Sequence, residues 1–244
     1  FRHTTYGVPW TPGETRQVWD VEARIEFNAV GKEAKVSLAA PHTQSNYTLI
    51  GESASSPGYG ISYLNTESGR RAEWSIRYAD GPQTIYYKTQ FLVDNQAKVN
   101  DTPPEGEVVQ PSFDGPEEAA SLALIDRATK RSADNLTFTR ELIKTLNDPD
   151  SQNSALILNN MTKVEATHKL LSAAKIHNKV VGVIELEDGR RRQSIQNMIQ
   201  VWDNDKWILF SPESSEQQVQ PNLLIWDESN VSLLDVVGGQ NSKV

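Results

Sequence analysis

Cysteine is absent from this sequence of 244 residues, and that gap closes off disulfide bonds, thiolate metal sites and thiol nucleophiles together. It does not choose a compartment. Long hydrophobic runs are missing too. Nothing approaches the ~20 apolar residues a helix needs to cross a bilayer, and the sequence, which opens at Phe1, contains no signal-peptide pattern. The chain reads as an excised, water-exposed piece of something longer, although a processed mature chain reads the same way. Positive charge is scarce: 24 Lys and Arg stand against 32 Asp and Glu, for a net charge of −8 and a pI near 5.1. Phosphate-backbone recognition rests on clustered Lys and Arg, so no nucleic-acid partner is expected. The basic run Arg190-Arg191-Arg192 follows the tight-turn pair Asp188-Gly189 and reads as a solvated hairpin tip. Asn-x-Ser/Thr sequons at Asn46, Asn135, Asn160 and Asn230 carry weight only in a eukaryotic secreted protein.

The first hundred residues alternate with a period of two. Trp19, Val21, Ala23, Ile25 and Phe27 share one face of a run whose other face is mostly charged, the mark of a half-buried antiparallel strand. Shorter runs at 34–39, 47–50, 61–64, 71–78 and 84–93 are separated by turn clusters such as Asp80-Gly81-Pro82. Six or seven short strands without a helical stretch predict a β-sandwich over 1–100. This half carries no catalytic pattern.

Residues 101–115, with Pro103-Pro104 and Pro111, read as a stiff polar linker. A second domain is expected over 116–244. Asp114 is the expected N-cap of a first helix with Pro116 and Glu117-Glu118 in its opening turn. A second helix is expected at about 136–146, stopping before Asp148-Pro149, and a third at about 161–175. Strands return at 179–187, 195–202 and 206–210, with later apolar runs at 223–226 and 231–237. Helices first and antiparallel strands afterwards make an α+β domain.

The order helix, Leu170-Leu171-Ser172-Ala173-Ala174-Lys175-Ile176, strand Lys179-Val180-Val181-Gly182 resembles the transglutaminase-like (papain-like) core. There a helix ending Leu-Leu-Arg-Ala-x-Gly-Ile-Pro leads into Ala-Arg-Val-Val. Met198 to Pro212, with Trp202, Trp207 and Ser211-Pro212, resembles that family's His-x-Trp-x-Glu strand, short turn and Trp-x-x-x-Asp-Pro ending. More closely, the whole chain resembles the bacterial family described as an inactive transglutaminase fused to seven transmembrane helices. The opening Arg2-His3-Thr4-Thr5-Tyr6-Gly7-Val8-Pro9-Trp10 and the stretch from Lys175 to Pro212 carry that resemblance. It implies a membrane protein, anchored through segments outside these residues, whose ectodomain lies in the periplasm at the bacterial inner membrane.

Active members of the superfamily hold a Cys at a helix N-terminus, a His on the adjacent strand and an Asp on the next. The helix end and an imidazolium lower the thiol pKa, and the acid orients the imidazole. The resemblance sets Asn160, within about one helical turn, at the Cys position, Gln196 at the His position and Ser211 at the Asp position. All three chemical groups are gone, and no catalytic residue is expected. Substitutes are weak: Thr162 and His168 lie about 240° apart around a helix, His177 near Ser172 reads as a lone loop histidine, and Ser211 near Glu213 lacks a base. Asp203-Asn204-Asp205 resembles the start of a calcium loop without its Gly or distal Glu, and a hairpin turn is expected. Gly238-Gly239-Gln240 lies in a polar tail and is given no role. No metal or cofactor is expected.

Three functions compete. The first is a non-catalytic ectodomain whose relict cleft binds a peptide or envelope protein for sensing or scaffolding. The second is a hydrolase or acyltransferase with a displaced Ser/Thr nucleophile. The third is a purely structural spacer. Candidate binding residues are Tyr59, in the Ser55–Gly60 loop, and Met198 with Trp202 on the Gln196 face of their strand; the competing reading packs Met198 and Trp202 against the third helix.

Overall fold

A computed structural model describes residues 2–6, 16–66, 69–94, 102–189, 192–216, 222–228 and 232–244. In chain order the strands are β1 (Arg2–Tyr6), β2 (Arg16–Ala39), β3 (Asn46–Ser53), β4 (Gly60–Thr66) and β5 (Gly69–Asp94). Then come helices α1 (Pro116–Lys130), α2 (Asn135–Leu146), α3 (Gln152–Leu158) and α4 (Lys163–Ala173). Strands β6 (Asn178–Glu185), β7 (Gln196–Trp202), β8 (Trp207–Phe210), β9 (Leu223–Asp227), β10 (Leu234–Val237) and β11 (Gly239–Lys243) follow. The chain divides into two compact units: Phe1–Val99 with Val183–Ile195 and Pro221–Val244, and Asn100–Gly182 with Gln196–Gln220.

This corrects the expected boundaries of 1–100 and 116–244. Strands β10 and β11 both pair with β2, and Leu224 and Trp226 of β9 belong to the core of the first unit. Apolar strand runs announce that they pair, not with what. The linker 101–115 is corrected likewise, because it lies on the second unit. Gln110 Nε2 donates to the Ser172 carbonyl at 3.0 Å, Trp207 Nε1 donates to the Thr102 carbonyl at 3.2 Å, and the Lys169 ammonium stands 4.8 Å from the Phe113 ring centre.

The short strands expected over 1–100 are instead parts of one antiparallel seven-stranded sheet of order β1-β2-β5-β3, with β10 and β11 on β2 and β4 on β5. Two long strands, 24 and 26 residues, pair from Val18↔Leu92 to Ala39↔Arg71. The inward face is carried by odd residues from Val21 to Ala29, then by the even residues Ala34, Val36 and Leu38. Register shifts between Val30 and Ala34 make that switch, as a bulge must, since one inserted residue exchanges the faces. Gly31 there has φ 74°. Opposite it, Asp80-Gly81-Pro82 is a bend inside β5, with the Gly81 amide donating to Asp80 Oδ1 at 3.0 Å, and not the turn that the residue types suggest.

The long strands double back. Trp74 and Tyr87 lie thirteen residues apart on β5, about 43 Å along a straight strand, yet their rings meet edge to face at 6.1 Å. The two ends of one sheet therefore face each other across a shared core that includes Ile25, Leu38, Ile85, Phe91 and Trp226. Gly238-Gly239 gains a role from this geometry. A Cβ at Gly238 would stand 2.0 Å from the Glu33 carbonyl oxygen, and one at Gly239 2.4 Å from the Phe27 ring.

In the second unit four helices bury Leu124, Phe138, Leu142, Ile143, Ile157, Leu170 and Leu171 against Ile199, Val201, Ile208 and Phe210 of β7 and β8. Each expected helix is present, α4 starting two residues later than expected. The N-cap of α1 is Gly115, not Asp114, and carries no side-chain cap; the Asp114 carbonyl instead accepts from Glu117 N. Helices α2 and α4 open on capping boxes, Asp134 with Thr137 and Thr162 with Glu165. Helix α4 ends on paired bonds, Ile176 N to Leu171 O and Lys175 N to Ser172 O, both 2.9 Å, a Schellman motif. Its left-handed residue is Lys175, φ 61°, at the place where the family pattern has Gly. Replacing Lys175 with Gly is expected to raise stability by about 0.5–1 kcal/mol, because a side chain in that conformation costs about 1–2 kcal/mol against the extra chain entropy of glycine. A urea-unfolding midpoint reads this, and an unchanged or lower midpoint would show that other contacts hold Lys175 in place.

Candidate functional site

The β7/β8 hairpin organises the second unit, and its two ends differ. Pairs Ile199↔Phe210 through Trp202↔Trp207 close at the turn. There the Asp203 carboxylate accepts from its own Asp205 and Lys206 amides at 2.9 and 2.7 Å, and Asn204 has φ 77°. That carboxylate is occupied by the turn it makes. Next to it Trp202 meets Trp207 edge to face at 5.4 Å, Lys179 lies 4.5 Å from the Trp207 ring centre, and Asn135 Nδ2 donates to the Trp202 carbonyl.

At the open end stand two of the residues that the resemblance singles out, Gln196 and Ser211. Ser211 follows β8 and is buried, its Oγ accepting from Glu213 N at 3.2 Å. The Pro212 carbonyl accepts from Asn147 Nδ2 at 2.9 Å, beyond the end of α2, and the Glu213 carboxylate meets Lys163 Nζ, the first residue of α4, at 3.0 Å. The segment carrying Ser211 is thus tied to the start of the helix that the Cys position should begin. Asn160 lies two residues before the Thr162 cap, outside that helix, and its Nδ2 turns to Glu117 of α1 at 2.8 Å. Gln196 is exposed at the start of β7. Continuing the β7/β8 register three residues past Ile199↔Phe210 sets it opposite Glu213.

Side-chain alternation decides what Gln196 faces. Ile199 and Val201 pack with the helices, so the residue of that parity near the open end is Asn197. Gln196 shares the other face with Met198, Gln200 and Trp202. Met198 is buried at 6% exposure and outside the helix-facing core, so packing against α4 belongs to Ile199 and Val201 and not to Met198 or Trp202. Met198 is therefore not an available binding residue. Trp202 is half-buried on Trp207. Gln200 is buried with its Oε1 unpartnered. Sequence reasoning did not foresee the Asn147, Lys163 and Glu213 ties, since short polar residues give no periodic signal.

Tyr59 differs from its expectation as an exposed recognition residue. It is half-buried against the core of the first unit, and its hydroxyl donates to Gln83 Oε1 at 2.7 Å; burial pushes its pKa up. Its truncation would cost stability, contrary to the behaviour expected of an exposed contact.

Each substitute nucleophile has a structural task. Thr162 Oγ1 accepts from Glu165 N at 3.3 Å, and Ser211 Oγ is held by Glu213 N. The buried Ser172 Oγ accepts from Asn178 Nδ2 at 3.2 Å, while Asn178 Oδ1 meets His168 Nδ1 at 2.6 Å. The amide therefore stands between hydroxyl and imidazole. A nucleophile needs its base in direct contact, and this order does not supply it. Among the described residues no group of three or more His, Asp and Glu side chains is placed to hold a metal ion, and no helix is long and apolar enough to cross a membrane. The basic hairpin tip falls partly outside the described residues, as Arg190 and Arg191 do.

The family described as "Inactive transglutaminase fused to 7 transmembrane helices" matches residues 1–161. That match takes in β1 to α3 and stops ahead of the stretch from Lys175 to Pro212. A search among curated proteins found no match. Among solved structures, a cysteine protease (so assigned provisionally) from Cytophaga hutchinsonii is similar. It has 12% sequence identity and a TM-score of 0.57, over 93% of this chain and 91% of that one. At that identity the likeness bears on fold alone, and it extends through the helices and strands that follow residue 161.

Proposed function

Because the chain belongs to the family of inactive transglutaminases fused to seven transmembrane helices, and has the α+β, transglutaminase-like fold, we propose that it is a non-catalytic ectodomain. On this reading it lies in the periplasm as part of a bacterial inner-membrane protein, and its retired acyl-transfer site binds a peptide or envelope protein for sensing or scaffolding. The observation that carries it is the lack of any thiol beside hydroxyls that are already engaged. The family resemblance assigns Asn160, Gln196 and Ser211 to the three catalytic positions, and the Thr162 and Ser211 hydroxyls serve backbone amides instead of an imidazole. A cysteine protease needs a thiol that this chain lacks.

Purified chain is expected to release no ammonia from glutamine peptides with an amine acceptor, and to cleave no peptide. The triple variant Asn160→Cys, Gln196→His, Ser211→Asp is expected to stay inactive as well. Asn160 precedes the α4 cap, and Gln196 sits on the strand face away from the helices, so the thiol would meet neither the helix end nor the imidazole. Being the chain's sole cysteine, it should alkylate with an ordinary pKa near 8.5. Turnover, or a thiol pKa depressed by a unit or more, would sink this reading. For binding, photo-crosslinking from position 196 or 213 in the membrane-embedded protein should capture a partner that Val237 controls do not. Equal labelling from all three positions would leave no role for the relict cleft.

A further inference from the structure

Where β2 and β5 shift register, the sheet forms a cleft. Lys32 pairs with Ala79 and Ala34 with Ile76, so Glu33 alone stands opposite two residues, Arg77 and Tyr78. An inserted residue of this kind re-aims the side chains around it. Here all three line one cleft of about 550 Å³, together with Ile76 and the glycines Gly58 and Gly60. That volume falls in the range of small-ligand sites, about 300–1,000 Å³. The glycines keep the space open. Gly58 has φ 84°, and a Cβ there would touch Ile76 Cδ1 at 3.4 Å. Between them Tyr59 turns to the core and holds the loop through its 2.7 Å bond to Gln83. Opposite charges that share a cleft ordinarily pair. Glu33 and Arg77 do not, for among the described residues neither side chain has an ion pair or a hydrogen bond. Both are exposed, as is the Tyr78 ring at 63%.

We propose that this cleft binds a small zwitterion, an α-amino acid with an apolar side chain. The Arg77 fork takes the ligand's carboxylate, Glu33 takes its ammonium, and Ile76 with the Tyr78 ring receives the side chain. Facing residues of antiparallel strands lie about 4.5–5.5 Å apart between Cα atoms. Two heads so close reach one ligand whose charges sit on a single carbon, whereas the ends of a peptide stand farther apart with each residue added. A ligand of one sign satisfies one head and is repelled by the other. Both heads face water, so each contact is screened and binding is weak. The cleft belongs to the first unit and the relict positions to the second, so this site stands independently of the function proposed for them.

Titration of the isotope-labelled 244-residue chain with L-leucine tests this by nuclear magnetic resonance. The amides of Gly58, Gly60 and Arg77 should shift together, with a dissociation constant of about 1 mM. Isocaproate, which is leucine without its amine, and isoamylamine, which is leucine without its carboxylate, should each bind about tenfold more weakly, the loss of one hydrogen bond between charged groups. Glu33→Gln and Arg77→Gln should each weaken leucine binding about tenfold and leave the melting temperature unchanged, as surface changes away from structural contacts do. Gly60→Val, at a strand position that suits a β-branched residue, should fill the cleft and abolish binding. The proposal is overturned by a titration without shifts at these amides, by binding that ignores both charge variants, or by either analogue binding as tightly as leucine.

Discussion

Replacing Glu52 with alanine is expected to destabilise the chain by about 3 kcal/mol, the lower end of the range for breaking a buried ion pair. The Glu52 carboxylate takes both arms of the Arg70 guanidinium and the hydroxyl of Tyr87, with Arg70 Nη1 to Glu52 Oε1 at 2.7 Å. The two charged side chains keep only 14% and 21% of their exposure. Tyr87 is fully buried. Its burial, and next the bond to Glu52, push its pKa well above the ordinary value, so the hydroxyl remains a donor. Arg70 also donates to the Pro41 carbonyl and lies 4.9 Å from the Tyr63 ring centre. Removing the carboxylate leaves the buried Tyr87 phenol unpaired and the Arg70 guanidinium with the Pro41 carbonyl alone, and an unpaired buried group carries its full desolvation cost. The double variant Glu52→Ala, Arg70→Ala should lose less than the sum of the single losses, since the second change removes the stranded charge. Chemical denaturation of the four proteins measures this. A single-variant loss below about 1 kcal/mol, the level of an exposed pair, would mean that water already screens the pair.

Glu52 also shows where the sequence stops informing. Nothing in Asn46–Ser53 marks its glutamate as different from a solvated one, because its partners lie 18 and 35 residues away. Local patterns were legible where the physics is local. Period-two alternation located β2, and apolar residues at helical spacing located α2 and α4, whose starts the structure shows capped by Asp134 and Thr162. Helix α3 escaped because seven residues span two turns, too few for a 3.6-residue period to declare itself. Asp80-Gly81-Pro82 has turn residues because the strand bends there, and composition does not separate a bend from a reversal. At the relict site, the spacing from Trp207 to Pro212 placed Ser211 beyond β8, next to α4 through Glu213. The face on which Gln196 projects depends on the parity of the whole strand against its helices, and that is a tertiary property.

Deleting residues 221–244 is expected to unfold the first unit altogether while leaving the helical unit cooperative. The removed segment is not a tail. Leu224 is fully buried, and Trp226 is 3% exposed, with its ring 5.8 Å from Tyr87 and its Nε1 donating to the Ala39 carbonyl at 2.8 Å. Gln44 binds both backbone groups of Ile225, at 2.8 Å each, as a further strand would. Arg71, buried among apolar neighbours, gives Nη1 to the Ser232 carbonyl at 3.0 Å and pairs with Asp235 at 3.7 Å. Deletion leaves Nη1 without its acceptor and removes the Asp235 carboxylate, while Nε and Nη2 keep Ser37. Losing one buried tryptophan costs about 3–5 kcal/mol, against a total domain stability of about 5–15 kcal/mol. The segment adds Leu224, the β10 and β11 pairings and the Arg71 acceptors to that loss. The core of the second unit contains no residue beyond Phe210, so residues 1–220 should keep a helical signal near 222 nm with its own melting transition. Their near-ultraviolet tryptophan signal should fall to that of the Trp202–Trp207 pair. A fragment of residues 1–100 should be unfolded for the same reasons. If that fragment instead melts cooperatively with dispersed amide resonances, the returning strands are accessories and the first hundred residues are a domain on their own. If it does not, the C-terminal strands complete the sheet that the N-terminal residues begin, and any force or ligand that peels β10 from β2 loosens the whole of that unit.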